Sequence, residues 1–229
     1  MKKGKQNAVE VEILWQEEKR RLTLEGEPVL EYTLAWPEVR GGGLGGRWIN
    51  RYYTRLAQAW RLRWQREVYW KACLELAACR AVSRPFTPWQ GRLGGEVALL
   101  EGGLLSLRLE GEETRGGGRS GRVRWGDVWK VQEGAPCSLK EIVGGGRGWR
   151  KGLVNEVLRQ GRGRRKVGDF FLDGDWEKGA RTYLPYQDFC LTPEGVELAY
   201  PQCTIAPAAE GTPVFVIPRA LTSPRIREF

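Results

Sequence analysis

The sequence predicts an α+β fold, and three observations carry that expectation. Short runs that alternate with period two stand at both ends of the chain, as in "PVLEYTLAW" and "PVFVIP". A single long stretch between them has period 3.6. Strands and helices do not alternate in the regular way that builds a parallel α/β sheet. With 229 residues, 41% of them hydrophobic and 11 of them Trp, the chain has apolar material for one sizeable core or two small lobes sharing a sheet.

Taken in order, residues 8–14 and 28–36 read as strands. In the second, Leu30, Tyr32, Leu34 and Trp36 put the bulkier apolar side chains on one face. "RGGGLGG" (40–46) is a flexible break before the long helix. Within that helix Ile49, Tyr52, Leu56, Trp60 and Trp64 recur every three or four residues, while Arg47, Arg51, Arg55, Gln58 and Gln65 fall opposite. Pro85 and Pro88 are expected to end it. Leu105, Leu107 and Leu109 then share one face of a strand, and "VRWGDVWKV" alternates behind a Gly-rich connection, which describes a β-hairpin.

Ser138 and Glu141 have capping-box spacing at the start of a short helical turn. Trp149, Leu153 and Val157 mark a second, shorter helix, and "GRGRRK" after it reads as an exposed loop. Phe189 and Leu191 lead into the turn Thr192–Gly195, with Pro193 presetting one torsion and Gly195 free to take positive φ. Val196, Leu198 and Tyr200 return as a strand, and "PVFVIP" supplies the last.

Several functions are excluded by residue type. The chain has no His, which removes His-based triads, His metal sites and the usual near-neutral general base. Its five Cys include no C-x-x-C pair, so neither a zinc ribbon nor a dense disulfide framework is expected. Gly116, Gly118 and Gly121 match G-x-G-x-x-G, but a phosphate cradle needs a helix N-terminus next, and residues 122–131 alternate as a strand. Asp173, Asp175 and Glu177 have the one-three-five spacing of a calcium loop. The sixth position is Lys178 and the twelfth Leu184, where such a loop needs Gly and Glu. The expectation is therefore no cofactor, no metal and no catalytic residue.

The formal net charge of +9 leaves a nucleic-acid reading open. Arg159, Arg162, Arg164, Arg165 and Lys166 could track phosphates, and the interleaved Trp and Arg of residues 47–70 could stack bases. Against that, Trp60 and Trp64 follow the helical stripe expected to be core. Glu10, Glu12 and Glu17 interrupt any apolar run behind the basic start, so no signal peptide is expected. No run reaches the roughly 18 apolar residues of a membrane span, and the expected location is the cytoplasm.

The C-terminal run "DFCLTPEGVELAYPQCTIAPAAEGTPVFVIP" resembles the last domain of the RsiV-type anti-sigma factors, which also accompanies some bacterial polysaccharide deacetylases. Phe189, Leu191, Thr192, Gly195, Ile205, Ala206, Pro207, Ala209, Gly211, Ile217 and Pro218 carry the likeness. Upstream, "LLSLRLEGEETRGGGRSG" is similar to a family strand followed by a T-G-G-A-H-G loop, with Arg119 in place of the His. "SLKEIV", "YTLAWPEVRG" and "INRYYTRLAQAW" resemble further family segments.

The resemblance implies a bacterial α+β protein with mixed, largely antiparallel sheets packed against one long and one shorter helix. It implies an N-terminal extension (1–27), a small strand-helix subdomain (28–103) and a second α+β domain (104–229). It also implies a non-catalytic role, because relatives outside the membrane bind a protein such as lysozyme. A protein or cell-wall-like ligand is expected at loop residues Arg115, Arg119 and Arg122 and at the turn carrying Ala206, Pro207 and Gly211, since loops on a rigid scaffold carry contacts. The alternative is a nucleic-acid partner at Arg159–Lys166.

Overall fold

The computed structural model describes residues 11–116, 118–168 and 171–219. The expected strand start at 8–10, Asp169 of the acidic run and the Arg119 side chain lie outside the described set. The architecture is α+β, with a mixed six-stranded sheet and a three-stranded sheet packed against helices.

Strands β1 (Val11–Leu24) and β2 (Glu27–Gly41) form an antiparallel hairpin. The first strand extends well past the expected end at residue 14, through the charged "EEKRR" stretch that shields its open edge. Helix α1 (Gly43–Leu62) continues through a π turn (Arg63–Val68) into α2 (Tyr69–Ala81). The chain then returns as β3 (Trp89–Glu101), parallel to β2. That strand corrects the expectation for "SRPFTPWQGRLGG" (83–95), which read only as the end of the helix. Pro85 and Pro88 do precede the strand, but from Trp89 the backbone is extended.

Antiparallel β4 (Leu104–Arg115) and β5 (Arg119–Lys130) complete a meander, with the short β6 (Ala135–Pro136) beside β5. Gly102 and Gly103 make the turn from β3 into β4, so the expected boundary at 103/104 falls inside a hairpin of one sheet. Gly116, Gly118 and Gly121 lie at the β4–β5 hairpin end, with Arg115 paired to Arg119, so they join two strands rather than a strand to a helix.

One face of the large sheet is covered by α1 and α2. Ile49, Tyr53, Ala57, Trp64, Val68, Ala72 and Leu76 pack onto Leu30, Leu34, Leu93, Leu107 and Trp129. The buried stripe runs through Tyr53 and Ala57 rather than the expected Tyr52 and Leu56, a rotation of one residue. Gly91 permits this packing: a Cβ there would stand 2.9 Å from the Trp64 ring. Truncating a buried Trp of this kind costs about 3–5 kcal/mol.

The other face meets the second layer. After α3 (Leu139–Ile142), whose Ser138–Glu141 capping box is complete, come α4 (Trp149–Val167) and α5 (Trp176–Thr182). The three-stranded sheet is β7 (Phe189–Leu191), β8 (Gly195–Ala199) and β9 (Val214–Pro218). Leu153, Val157, Trp176, Leu198 and Phe215 share one core with Val128 of β5. Helix α4 corrects the expected loop at "GRGRRK": residues 161–166 are helical, and Gly161 lies against the Trp176 ring. A glycine that reads as part of a loop admits an indole instead.

Candidate functional site: a charged groove where the sheets meet

The face of β3–β5 that looks toward the second sheet is built from charged residues in register. Arg92 pairs with Glu112, which pairs with Arg122; Gly94, Glu110 and Arg124 make the next row, and Glu96, Arg108 and Gly126 the third. Period-two alternation explains this, because Leu93, Leu107 and Leu109 on the same strands are buried under the helices. Opposite charges directly across antiparallel strands stabilise the pairing. The groove above these rows holds about 600 Å³, and Glu210, Gly211 and Thr212 form one wall.

Its floor is fixed by Glu197 of β8, whose side chain is only 6% exposed. Glu197 Oε2 accepts from Arg108 Nη2 at 2.6 Å, and Oε1 accepts from Arg108 Nε at 3.1 Å. Oε1 also accepts from Arg124 Nη2 at 2.7 Å and Nε at 3.1 Å. Burial by itself lowers the Arg108 pKa; Glu197 and Glu96 more than reverse this and hold it above the ordinary guanidinium value. Arg108 also reaches Glu96, Arg124 reaches Glu110 at 3.2 Å, and Arg122 reaches Glu112 at 3.0 Å. Buried charges persist where geometry and extra hydrogen bonds offset desolvation, and this clamp provides both.

Gln202 ties the wall to the floor. Its Oε1 accepts from the Arg122 backbone N–H at 2.9 Å, and its Nε2 donates to the Ala208 carbonyl at 2.8 Å. Deeper in the seam, Ser106 Oγ accepts from the Leu191 backbone N–H at 2.8 Å and lies 3.3 Å from Cys190 Sγ. Burial pushes the Cys190 thiol up to about 11, and the Cys137 thiol likewise, so neither is a thiolate near neutral pH. Among the described residues no group of three or more potential ligands could hold a metal ion.

The expected contact residues are divided by this geometry. Arg122 and Gly211 meet in the groove: a Cβ on Gly211 would stand 3.7 Å from Arg122 Cδ. Pro207 is exposed at the start of the 3₁₀ turn Ala208–Glu210. Ala206 is fully buried and anchors that turn from inside, which corrects its expected role as a contact. Arg115 lies at the far hairpin end with its guanidinium 5.3 Å from the Trp89 ring centroid. Arg108 and Arg124 are among the groove residues that sequence reading missed, as is Glu197, which holds both from beneath. Alternation in "LLSLRLE" marks Arg108 as outward, but only the second sheet makes that outward face an interior one.

The basic cluster has a different arrangement. Arg159 donates to Glu156 at 2.6 Å and Arg162 to Glu177 at 2.9 Å. Arg164 donates to the Val214 carbonyl at 2.8 Å and lies over the Phe215 ring. Arg165 and Lys166 are exposed. Asn155, Arg159, Arg162, Lys166 and Arg181 line a shallow hollow of about 420 Å³.

Residues 156–220, from mid-α4 through β9, match the family described as a protein of unknown function (DUF3298). The chain is similar to the solved structure of a DUF3298 family member from Bacteroides fragilis, with a TM-score of 0.65 and 16% identity over 93% of this chain and 92% of that one. It is also similar to a DUF3298 family protein from Pseudomonas aeruginosa, with a TM-score of 0.59 and 16% identity over 97% and 98%. At this identity the likeness establishes a shared fold. No curated protein matches the chain. Among the described residues no helix is long and apolar enough to cross a membrane.

Proposed function

We propose that this chain is a non-catalytic binding domain that holds a protein or cell-wall-like ligand of mixed charge in the β3–β5 groove. The observation that carries the reading is the Arg108–Glu197–Arg124 clamp, which fixes a floor of alternating charges beneath an open groove. Such a surface selects partners by charge complementarity and register rather than by apolar area. A non-catalytic role is supported by the carboxylates themselves: Glu96, Glu110, Glu112 and Glu197 are each ion-paired with arginine, so each is already engaged by a neighbouring side chain.

The resemblance to the sensor domain of RsiV-type anti-sigma factors points the same way. The residues that carry it most densely, 189–218, lie within the segment matched to DUF3298, and Glu210 and Gly211 among them line the groove.

The test immobilises the wild-type protein and Glu112→Arg side by side and challenges both with bacterial protein extract and solubilised cell-wall fragments. A component that loses about tenfold or more of its retention on the variant, equivalent to about 1.4 kcal/mol, is the expected result. If every retained component binds both equally, the groove is not the contact. A salt titration of DNA and RNA binding is expected to show no steep dependence. Steep loss with salt, abolished by Arg165→Glu with Lys166→Glu, would move the function to α4.

A further inference from the structure

The long helix from Gly43 to Ala81 has a second face that no other element covers among the described residues. Leu44, Trp48, Leu62, Trp70 and Leu74 are 71, 56, 40, 64 and 69% exposed. The exposed Arg51, Arg55 and Arg66 are interspersed with them. Large apolar side chains standing this far out of a folded protein mark an interaction surface when they form a continuous patch.

Continuity is supplied by the π turn at Arg63–Val68. At 3.6 residues per turn, an unbroken α-helix would place Trp70 about 80° and Leu74 about 120° around from Leu44. The wider i→i+5 turn takes up one extra residue, about 100°, and returns both to within about 20° of Leu44. The exposed residues thus form one continuous stripe along about 58 Å of helix.

The charge of the stripe is one-sided. Arg51, Arg55 and Arg66 have no ion-pair partner among the described residues, and the Arg51 guanidinium lies 5.7 Å from the Trp48 ring centroid. The two acids of the helix are engaged elsewhere: Glu67 lies between Arg63 and Lys71, and Glu75 accepts from Trp89 Nε1 at 2.7 Å. A continuous line of exposed Trp and Leu, interspersed with Arg that have no ion-pair partner among the described residues, is complementary to a plane that is apolar beneath and anionic at its surface. Trp rings favour the headgroup level of a bilayer, and arginine stems extend through apolar surroundings to reach phosphates. A nucleic-acid strand would use the Trp faces but has no counterpart for Leu44, Leu62 and Leu74.

We infer that the outer face of the Gly43–Ala81 helix docks flat on an anionic lipid bilayer surface, with Trp48 and Trp70 inserted at headgroup depth.

The test is flotation with vesicles of phosphatidylglycerol and phosphatidylcholine in equal parts, beside vesicles of phosphatidylcholine alone. Binding to the anionic vesicles and little to the neutral ones is expected. Each arginine near such a surface is worth about fivefold, so Arg51→Glu with Arg55→Glu is expected to weaken vesicle binding by at least about 25-fold. Trp48→Ser with Trp70→Ser, both at exposed positions, is expected to abolish it while the circular dichroism spectrum stays unchanged. Failure of the wild-type protein to float with anionic vesicles at low salt overturns the inference. So does unchanged flotation of the double Trp variant. Tight binding of single-stranded oligo-dT that competes with vesicles and is lost in the same Trp variant would assign the face to nucleic acid and overturn it as well.

Discussion

Glu197 and Arg108 meet across the seam of the two sheets in a two-pronged contact, Nη2 to Oε2 at 2.6 Å and Nε to Oε1 at 3.1 Å. The carboxylate is nearly buried, and it also neutralises Arg124. Glu197→Gln keeps the shape and removes the charge, leaving two guanidinium groups facing each other. Loss of one partner of a buried pair costs about 3–5 kcal/mol, and the partial exposure of both arginines brings the expectation to about 2–4 kcal/mol. Urea unfolding measures it; a change below about 0.5 kcal/mol would mean that the clamp does not hold the sheets together.

Two glycines of α4 predict opposite outcomes for the same substitution. At Gly163 an added methyl would have nothing within 4 Å, so Gly163→Ala should stabilise by about 0.5–1 kcal/mol through helix propensity. A methyl on Gly161 would collide with the Trp176 ring. Gly161→Ala should therefore destabilise by about 1–3 kcal/mol despite the same propensity gain. Thermal unfolding of the two variants reads the difference, and equal effects would place Trp176 elsewhere.

Asp127 supplies a pH signature. Burial pushes its carboxyl up to about 6, although it accepts from the Tyr53 hydroxyl at 2.9 Å, and the charge of Asp188 adds to the rise. Because the folded-state pKa lies above the unfolded one, the folded protein holds this proton more tightly. The associated stability is fully present below the unfolded value and is lost as pH rises to about 6. Asp127→Asn should remove that slope, so wild type loses up to about 3 kcal/mol relative to the variant between acid and neutral pH. Parallel stability curves for the two proteins from acid to neutral pH would refute the assignment.

The elements that were legible in the sequence are those specified locally. The long helix shows its period through Ile49, Trp60 and Trp64, the β4–β5 hairpin through its alternation, and α3 through Ser138 and Glu141. What the sequence concealed depends on partners distant along the chain. Gly91 and Gly161 sit in segments that read as a helix end and a loop, because the indoles of Trp64 and Trp176, which need their missing side chains, come from other elements. Glu197 alternates with Val196 and Leu198 as a solvent-facing residue would, and only the packing of one sheet on another makes its position interior. The same holds for the groove: Arg122 and Gly211 could be singled out one by one, but not as neighbours.

The π turn has a consequence for chain length. A surface loop absorbs a lost residue easily, whereas this helix has no such slack. Deleting Gln65 would let the hydrogen-bond ladder close as an ordinary α-helix, yet turn everything after it by about 100°. Ala72 and Leu76 would swing away from the sheet they now cover, while Trp70 and Leu74 would leave the line begun by Leu44. Residue 65 thus works as a spacer, and its presence matters more than the chemistry of its side chain. One amide unit sets the phase between the two halves of the rod.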